Sequence, residues 1–342
     1  MPIKKSELYS FLWKSCDELR GGMDASQYKD YVLVLLFVKY VSDKYAGKRN
    51  ALLDVPPGGS FADLVALKGD KEIGDKMNKV IAKLAEANDL RGVIDVADFN
   101  DVDKLGKGKE MVDRLSNLVA IFDTPALDFQ SNRVDGDDLL GDAYEYLMRH
   151  FATESGKSKG QFYTPAEVSR VMAKVVGVGT ARDAKQTIYD PTCGSGSLLL
   201  KAHDEAKSTT GLDLALYGQE MDNATAGLAK MNMILHDCPT AEISKENVLA
   251  SPHFTEDGHL KTFDFVVANP PFSFKAWSNG FNPREDEFHR FEFGVPPAKN
   301  GDCAFLLHIL TSLKKERVAI PTGAIPRSST RSATSRRPRV LS

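Results

Sequence analysis

The stretch Asn269-Pro270-Pro271-Phe272 carries the groups of this sequence best suited to chemistry on a planar amine. It follows residues 263–268, a short run of Phe and Val that predicts a buried strand, and the two prolines predict its end because proline cannot donate to a ladder. The side-chain oxygen of Asn269 and the backbone carbonyl of Pro270 could accept both hydrogens of one NH2 group. Phe272 offers a face for stacking a planar base. Taken alone, the motif could equally be a proline-rich turn after a core strand.

A second motif, residues 188–198, predicts a strand that ends at Asp190, a turn with Gly194 and Gly196, and a helix that begins near Ser197. Such a unit brings backbone close to a cofactor. The third glycine of the dinucleotide fingerprint is absent, and the Asp190 carboxylate would repel a pyrophosphate. A ligand with a positive group fits better, and the amino group and sulfonium of S-adenosylmethionine would suit.

A third acidic position lies at the end of the next predicted strand, 217–220. Glu220 follows Gly196 by 24 residues, close to the separation of about 20 at which an acidic side chain meets ribose hydroxyls in cofactor sites of this type. A solvated strand end is the alternative for Glu220 and for Asp190. The ordered series of Asp190, glycine turn, Glu220 and Asn269 argues against that alternative.

The composition is that of a soluble protein long enough for two cores, with 342 residues, 42% hydrophobic and 27% charged. Cysteines at positions far apart, without CxxC spacing, argue against a zinc site and a disulfide framework and favour a reducing cytoplasm: Cys16, Cys193, Cys238 and Cys303. No signal peptide opens the sequence, and its most apolar run, 31–38, is too short to span a bilayer. No membrane association is therefore expected.

The net charge and the absence of two sequence motifs bear on which ligands the protein could bind. The formal net charge of −3 is unexpected for a protein that binds a nucleic-acid backbone by itself, so local patches or a partner subunit would have to supply phosphate contacts. No GxxxxGK[ST] loop is present, which argues against ATP hydrolysis. The seven histidines show no HExxH spacing, so no metal site is expected. His308 is interpreted as an ordinary helix residue.

The chain order predicts two domains and a tail. Apolar periodicity predicts helices over 8–19, 31–45, 77–87, 109–121 and 138–151. The polar stretch 156–160 predicts a linker, and Thr164-Pro165 a helix start, after which Val168, Val171, Met172 and Val175 share one face. A helix over 223–235, a short strand between Ile243 and Asn247 and a fifth strand over 317–320 follow. From residue 321 the periodicity stops, and residues 321–342 are predicted to be a disordered basic tail.

Four motifs occur in an order that resembles the gamma-type adenine-N6 DNA methyltransferases: Phe162-Tyr163-Thr164-Pro165, Asp190-Pro191-Thr192-Cys193-Gly194-Ser195-Gly196-Ser197, Glu220 and Asn269-Pro270-Pro271-Phe272. N-terminal stretches resemble the modification (M) subunit of bacterial type I restriction–modification systems: Leu12-Trp13-Lys14, Leu19-Arg20-Gly21, Phe37-Val38-Lys39-Tyr40 and Leu140-Gly141-Asp142-Ala143-Tyr144. The resemblance implies an α/β fold, in which an all-α N-terminal domain, 1–155, precedes a Rossmann-like S-adenosylmethionine-dependent methyltransferase sheet, 156–320.

The resemblance also implies roles for individual residues. Phe162 and Thr164 would lie along the methionine part of S-adenosylmethionine, and Asp190 would lie near its amino group. The glycine backbone would lie beneath the cofactor, with Glu220 on the ribose. The implied cofactor site also includes Tyr163, Thr192, Gly194, Ser195, Gly196, Ser197 and Asn247. Asn247 stands where such enzymes commonly carry an Asp.

The implied catalytic residues are Asn269, Pro270, Pro271 and Phe272. Asn269 and the Pro270 carbonyl would hold the N6 amine of a flipped adenine while Phe272 stacks on the base. Methyl would pass directly from sulfonium to N6, and accepting both amine hydrogens should favour the nucleophilic form of the nitrogen. Neither a metal nor a covalent intermediate is needed.

The function implied is a site-specific adenine-N6 methyltransferase of double-stranded DNA, the methylation subunit of a type I complex. Its partners would be a DNA specificity (S) subunit, a second M subunit and a restriction (R) subunit. Two alternatives stay open, since Asn-Pro-Pro-aromatic also occurs in RNA and protein-glutamine methyltransferases, and since a truncated subunit could be inactive. The helical N-terminal domain favours DNA.

Two further expectations concern the region after residue 272. The segment 273–300 is long and rich in aromatics, so it is expected either to engage flipped DNA or to form a local core. The family continues beyond the fifth strand. The abrupt change in composition at residue 321 therefore predicts a frame shift or truncation, with reduced or absent methylation.

Overall fold

The computed structural model describes residues 5–20, 23–127, 144–148, 164–314 and 319–321. The chain divides into two compact units. One comprises Met1–Lys159 with Ile234–Pro239, and the other comprises Gly160–Met233 with Thr240–Ser342. None of the helices in the described ranges is long and apolar enough to cross a membrane.

The first unit is helical. Its helices are α1 (Lys5–Arg20), α2 (Ala25–Tyr45), α3 (Phe61–Ala66), α4 (Ile73–Ala87), α5 (Val102–Leu105) and α6 (Lys109–Phe122), and residues 144–148 are also helical. The predicted helices at 8–19, 31–45, 77–87 and 109–121 are confirmed. Most of the predicted helix at 138–151 lies outside the described residues.

Helix α2 forms the core of this unit. Every residue from Tyr31 to Val38 is buried, and α2 packs against α1 and α6. A helix that is apolar all round must be covered on every side. Helix α3 begins at a capping box, in which Ser60 and Asp63 satisfy each other's backbone N–H groups.

The second unit contains a parallel sheet. Its strands are β1 (Thr187–Asp190), β2 (Ala215–Gln219), β3 (Glu242–Ser244), β6 (Phe265–Ala268) and β7 (Ala319–Pro321), and β4 (Thr255–Glu256) and β5 (His259–Leu260) form a separate hairpin. Its helices are α7 (Ala166–Val176), α8 (Ser197–Thr210), α9 (Asn223–Leu235) and α10 (Asp302–Thr311). The order across the sheet is β3-β2-β1-β6-β7, and every pairing is parallel.

Strand β1 lies at the centre, with Ile188 opposite Leu216 on one side and Phe265 on the other. All four residues of β6 are buried, as expected of a parallel strand covered on both faces. The carboxyl ends of parallel strands meet at one edge of a sheet. Asp190 ends β1, Glu220 follows β2 and Asn269 follows β6, so all three lie at that edge.

Three expectations change in detail. In α7, Val168, Val171 and Val175 are exposed whereas Met172 is buried, because the helix packs through its opposite face against α8. Strand β3 contains Ile243 but ends before Asn247. The fifth strand, β7, is confirmed at residues 319–321. The rest of the predicted basic tail, 322–342, lies outside the described residues.

Candidate active site

The turn between β1 and α8 forms the floor of the candidate site. The Asp190 carboxylate accepts a hydrogen bond from the Thr192 N–H at 2.9 Å, and the Cys193 N–H donates to the Gln219 carbonyl of β2 at 3.0 Å. Gly194 and Gly196 have φ values of 54° and 79°, a left-handed conformation that favours glycine. Helix α8 begins directly after Gly196, so the turn lies at a helix N-terminus.

Gly218 explains why this turn can lie so close to β2. A Cβ atom on Gly218 would be 2.7 Å from Cδ1 of Ile243 and 3.0 Å from both Sγ of Cys193 and Cδ1 of Leu199. Such distances are shorter than van der Waals contact. Gly218 was not singled out from the sequence, because a lone glycine within a predicted strand indicates close backbone approach only once its neighbours are known.

Glu220 connects the turn to the end of β2. One carboxylate oxygen accepts from the Gly194 N–H at 3.1 Å, and the other accepts from the Asp222 N–H at 2.9 Å. The backbone N–H of Glu220 donates to the Ser244 carbonyl of β3. These hydrogen bonds hold Glu220 beside the glycine turn, and its role as a ribose ligand stays a prediction.

The environment of the Asp190 and Glu220 carboxyl groups favours a positively charged ligand. Asp190 is 1% exposed. Burial raises the pKa of its carboxyl to about 8, and the negative charge of Glu220 adds to the rise. Burial also raises the pKa of Glu220. Within the described part of the chain neither group forms an ion pair, so a positively charged ligand would stabilise both as carboxylates.

Asn269 lies directly after β6, and its amide Nδ2 donates to the hydroxyl Oγ1 of Thr164 at 3.3 Å. The structure thus brings together two residues 105 positions apart, one from each of two motifs. Pro270 is buried, Pro271 is partly buried, and the Phe272 ring is 58% exposed. Phe162 and Tyr163 lie outside the described residues.

Three further predicted cofactor residues, Ser195, Ser197 and Asn247, form hydrogen bonds within the protein. The hydroxyls of Ser195 and Ser197 lie 3.0 Å apart, and both residues are buried. The Ser195 carbonyl accepts from Nδ2 of Asn232 in α9 at 2.9 Å. Asn247 caps a turn, because its Oδ1 accepts from the Leu249 N–H at 3.0 Å. The contribution of Asn232 depends on the fold and has no sequence signal.

The segment 273–300 builds a local core. Trp277 and Phe291 are buried together with four residues from outside the segment, Val248, Leu249, Ala304 and Phe305. Phe274 and Phe281 pack against this cluster, and the Trp277 indole N–H donates to the Pro297 carbonyl at 2.9 Å. Phe293 differs, since it is 97% exposed. The local-core alternative therefore accounts for four of the six aromatics, and a role of the segment in binding DNA stays a prediction.

Comparison with known proteins identifies the family. Residues 135–332 match the profile described as N-6 DNA Methylase, and residues 8–122 match the HsdM N-terminal domain. The chain belongs to the N-6 DNA methylase family. The resemblance to modification subunits of type I systems is thereby confirmed.

The chain is similar to curated methylase subunits of this family. It is 30% identical over 364 residues to the type I restriction enzyme MpnII methylase subunit of Mycoplasma pneumoniae, covering 90% of this chain and 66% of that protein. It is 28% identical over 351 residues to the MjaVII methylase subunit of Methanocaldococcus jannaschii, covering 94% of this chain and 57% of that protein. The chain thus spans less than two thirds of their length.

A solved structure agrees with the fold. The type I restriction-modification system methyltransferase subunit from Streptococcus thermophilus superposes with a TM-score of 0.74 at 28% identity, covering 91% of this chain and 72% of that one. The predicted α/β methyltransferase sheet after a helical region is confirmed. The chain therefore carries its glycine turn, its two acids and its Asn-Pro-Pro-Phe motif on the sheet edge where α/β proteins bind ligands.

Proposed function

We propose that this chain is the methylation subunit of a type I restriction–modification complex. It transfers a methyl group from S-adenosylmethionine to N6 of an adenine flipped out of double-stranded DNA. One observation carries the proposal: the buried Asp190 carboxyl group and the partly buried Glu220 carboxyl group lie at the same sheet edge as Asn269 and Pro270. A donor-binding half and an amine-binding half thus share one edge.

The donor half fits S-adenosylmethionine in charge and shape. Asp190 would take the amino group, and that positive charge would hold the carboxylate ionised. Glu220 would accept from the ribose hydroxyls while keeping the Gly194 N–H. The left-handed turn at Gly194 would bring backbone close to the cofactor. The missing side chain of Gly196 leaves room for Met233 of α9 instead, since a Cβ on Gly196 would overlap Cε of Met233. The sulfonium supplies the methyl group.

The amine half fits an exocyclic NH2 group. The amide nitrogen of Asn269 faces Thr164, so the proposal assigns its oxygen to the substrate amine. The Pro270 carbonyl would accept the second hydrogen, and the exposed Phe272 ring would stack on the base. Two acceptors draw the amine hydrogens away from the ring plane and localise the nitrogen lone pair for attack on the methyl group.

Partners and domain limits complete the proposal. The helical domain spans residues 1–155 and the catalytic domain residues 156–320. DNA is reached as part of a complex with a specificity subunit, a second methylation subunit and a restriction subunit. Relatives that carry the name methylase subunit of a type I restriction enzyme support this arrangement, and so does the net charge of −3.

The test is a methyl-transfer assay on the chain co-expressed with the specificity subunit of its own system. Labelled S-adenosylmethionine is supplied with DNA, RNA or protein, and N6-methyladenine is mapped in the DNA product. Asn269→Ala should lower transfer by about 100- to 1,000-fold, comparable to the loss of one transition-state hydrogen bond. Donor affinity, measured by calorimetry, should stay nearly unchanged because Asn269 contacts the amine.

Asn117→Ala is the matched control, since this asparagine is exposed on α6 and loses one surface hydrogen bond, to Glu18. It should transfer methyl at the unsubstituted rate. Methyl on RNA or protein but not on DNA would favour the alternative substrates. A loss of less than tenfold in Asn269→Ala would remove the assigned role of Asn269.

A further inference from the structure

Arg290 is a cation buried within the segment that follows the Asn-Pro-Pro-Phe motif. Its side chain is 1% exposed and pairs with the Asp286 carboxylate, itself 4% exposed, at 2.6 Å. The Nε atom also donates to both Asp286 oxygens, at 3.1 and 3.0 Å. This forked geometry uses only part of the guanidinium, which has five N–H donors.

The remaining donors of Arg290 reach outside the segment. One terminal nitrogen donates to the Leu249 carbonyl at 2.8 Å, and the other donates to the Val248 carbonyl at 3.3 Å. These carbonyls belong to the turn that Asn247 caps. Arg290 therefore connects the segment after Phe272 to the turn at Asn247, which the family resemblance places near the cofactor.

A second connection runs from Arg290 to the central strand. Its guanidinium lies 3.3 Å from Nδ1 of His308. Arginine can only donate, so Nδ1 accepts and the proton of the neutral ring is on Nε2. Nε2 lies 3.2 Å from the Tyr189 hydroxyl, and Tyr189 directly precedes Asp190. Burial, together with the Arg290 charge, lowers the pKa of His308 to about 3, so the ring is neutral at physiological pH.

Aromatic rings complete the environment of this cation. The guanidinium carbon lies 5.4 Å from the centroid of Phe281, 5.5 Å from that of Phe288 and 5.3 Å from that of Phe291. All three distances are within cation–π range. The local core of segment 273–300 is thus assembled around one charged group with contacts in three places: within the segment, at residues 248–249, and at His308.

We propose that Arg290 is a positioning residue that holds the amine-binding half of the site against its donor-binding half. This inference rests on the proposed function. Arg290 touches none of the residues assigned to substrate or donor and acts through the segment after Phe272 and the turn at Asn247. Removal of the Arg290 side chain should leave the donor-binding half, with Asp190, Gly194 and Glu220, intact. The amine-binding half, with Asn269 and Pro270, should shift.

The test uses a pair of variants in the complex with the specificity subunit. Arg290→Met alone leaves the buried Asp286 charge without its partner and endangers folding. Arg290→Met combined with Asp286→Leu removes both charges and replaces them with apolar side chains, an exchange that folded proteins often tolerate. Arg290→Lys keeps the positive charge but lacks the planar guanidinium, so it should retain little of the methyl-transfer activity of the unsubstituted complex.

The double variant should lower kcat/KM for DNA by about tenfold or more, because misplacement of a reacting group by 1 Å can cost about 100-fold. Its dissociation constant for S-adenosylmethionine should change by less than about threefold, since the contacts of Arg290 include none of Asp190, Gly194 and Glu220. A purely structural role predicts another result: the folded fraction of the double variant would show unsubstituted kcat and KM for DNA. That result would overturn the inference.

Hydrogen exchange of the donor-free chain provides a readout that needs no activity. Amides in 273–300 and in 247–251 should exchange faster in the double variant, whereas those of β1 and α8 should be unchanged. If the unsubstituted complex transfers no methyl group to DNA, the proposed function is wrong. Hydrogen exchange would still show whether Arg290 connects segment 273–300 to the turn at Asn247. Unchanged exchange in both segments would overturn the connection itself.

Discussion

Asp190 is a titratable group of the candidate site whose protonation is changed by the fold. Its carboxyl is buried at the end of the central strand, and the pKa of about 8 means that the donor-free protein carries a proton there at neutral pH. A cationic donor requires the carboxylate instead. The proposed binding of the donor amino group at Asp190 should therefore release this proton.

Between pH 6 and pH 7.5 the affinity for S-adenosylmethionine should rise with pH. The direction of this change follows from the raised pKa of Asp190. Below a pH of about 8 the carboxyl of the free site is mainly protonated, so binding includes the free energy of its ionisation. That free energy falls by about 1.4 kcal/mol for each unit by which the pH rises. Calorimetry in buffers of different ionisation enthalpy should record close to one proton released. Asp190→Asn should bind more weakly and release none. An affinity independent of pH would contradict the assignment.

The sequence could predict the position of Asp190 but not its protonation. Strand, turn and helix were visible in residues 188–198, whereas burial depends on neighbours from β2 and β6. The environment of His308 could not be predicted from the sequence either. Its place on a helix was predicted, but its partners Arg290 and Tyr189 are 18 and 119 residues away in the chain, so no local pattern announces the network.

Strands β1 and β6 are held together at their amino ends by one carboxylate. Asp264 precedes β6, and its Oδ2 accepts from the Thr187 N–H at 3.1 Å and from Lys314 at 2.7 Å, while Oδ1 accepts from Gln186 at 3.3 Å. The residue is 4% exposed. This group lies at the opposite edge of the sheet from the candidate site.

Asp264→Ala should lower the free energy of unfolding by about 2 to 4 kcal/mol, because several donors lose a charged acceptor and some of them stay buried. Urea denaturation of the purified chain measures this. Asp183→Ala is the control, since among the described residues this exposed carboxylate accepts one local N–H, from Lys185, and its loss should cost far less. Equal losses in the two variants would show that burial of Asp264 confers no special stability.

Elements were predictable where their pattern was strong. Strands β1, β2 and β6 and helices α1, α2, α6 and α8 all follow from apolar periodicity or from the glycine turn. The face of α7 was not predictable, because the helix buries Ser169 and Ala173. Small residues permit close approach to a neighbouring helix, and apolarity alone favoured the exposed valines. The β4–β5 hairpin, two residues on each side, is too short for a periodic signal.

The net charge of the whole molecule limits how tightly it can bind DNA without a partner. With 47 acidic and 44 basic residues, the chain has no electrostatic excess with which to hold a polyanion. Five arginines and no acidic residue occur in residues 327–342, so the rest of the sequence is more acidic than the total suggests.

The isolated chain should bind DNA no more tightly than about 10⁻⁴ to 10⁻⁶ M at physiological salt, the range of non-specific binding. Deletion of residues 327–342 should weaken that binding further and flatten its salt dependence, because fewer counterions are released. Fluorescence anisotropy with a labelled duplex at several salt concentrations measures both. Tight, salt-insensitive binding by the chain alone would contradict the expected need for a partner.

The pairing of β1 with β6 also has a consequence during synthesis. A ribosome adds about 5 to 20 residues each second, so Ile188 leaves the tunnel several seconds before its partner Phe265. During that interval one side of the central strand has no strand to pair with, whereas β2 emerges sooner on the other side, because Leu216 is closer to Ile188 in the chain than Phe265 is. The nascent chain then exposes a strand edge with unpaired N–H and C=O groups, which can pair with another chain and lead to aggregation. Slow translation between β2 and β6 would lengthen this exposure, so the yield of folded protein should depend on codon usage in that interval.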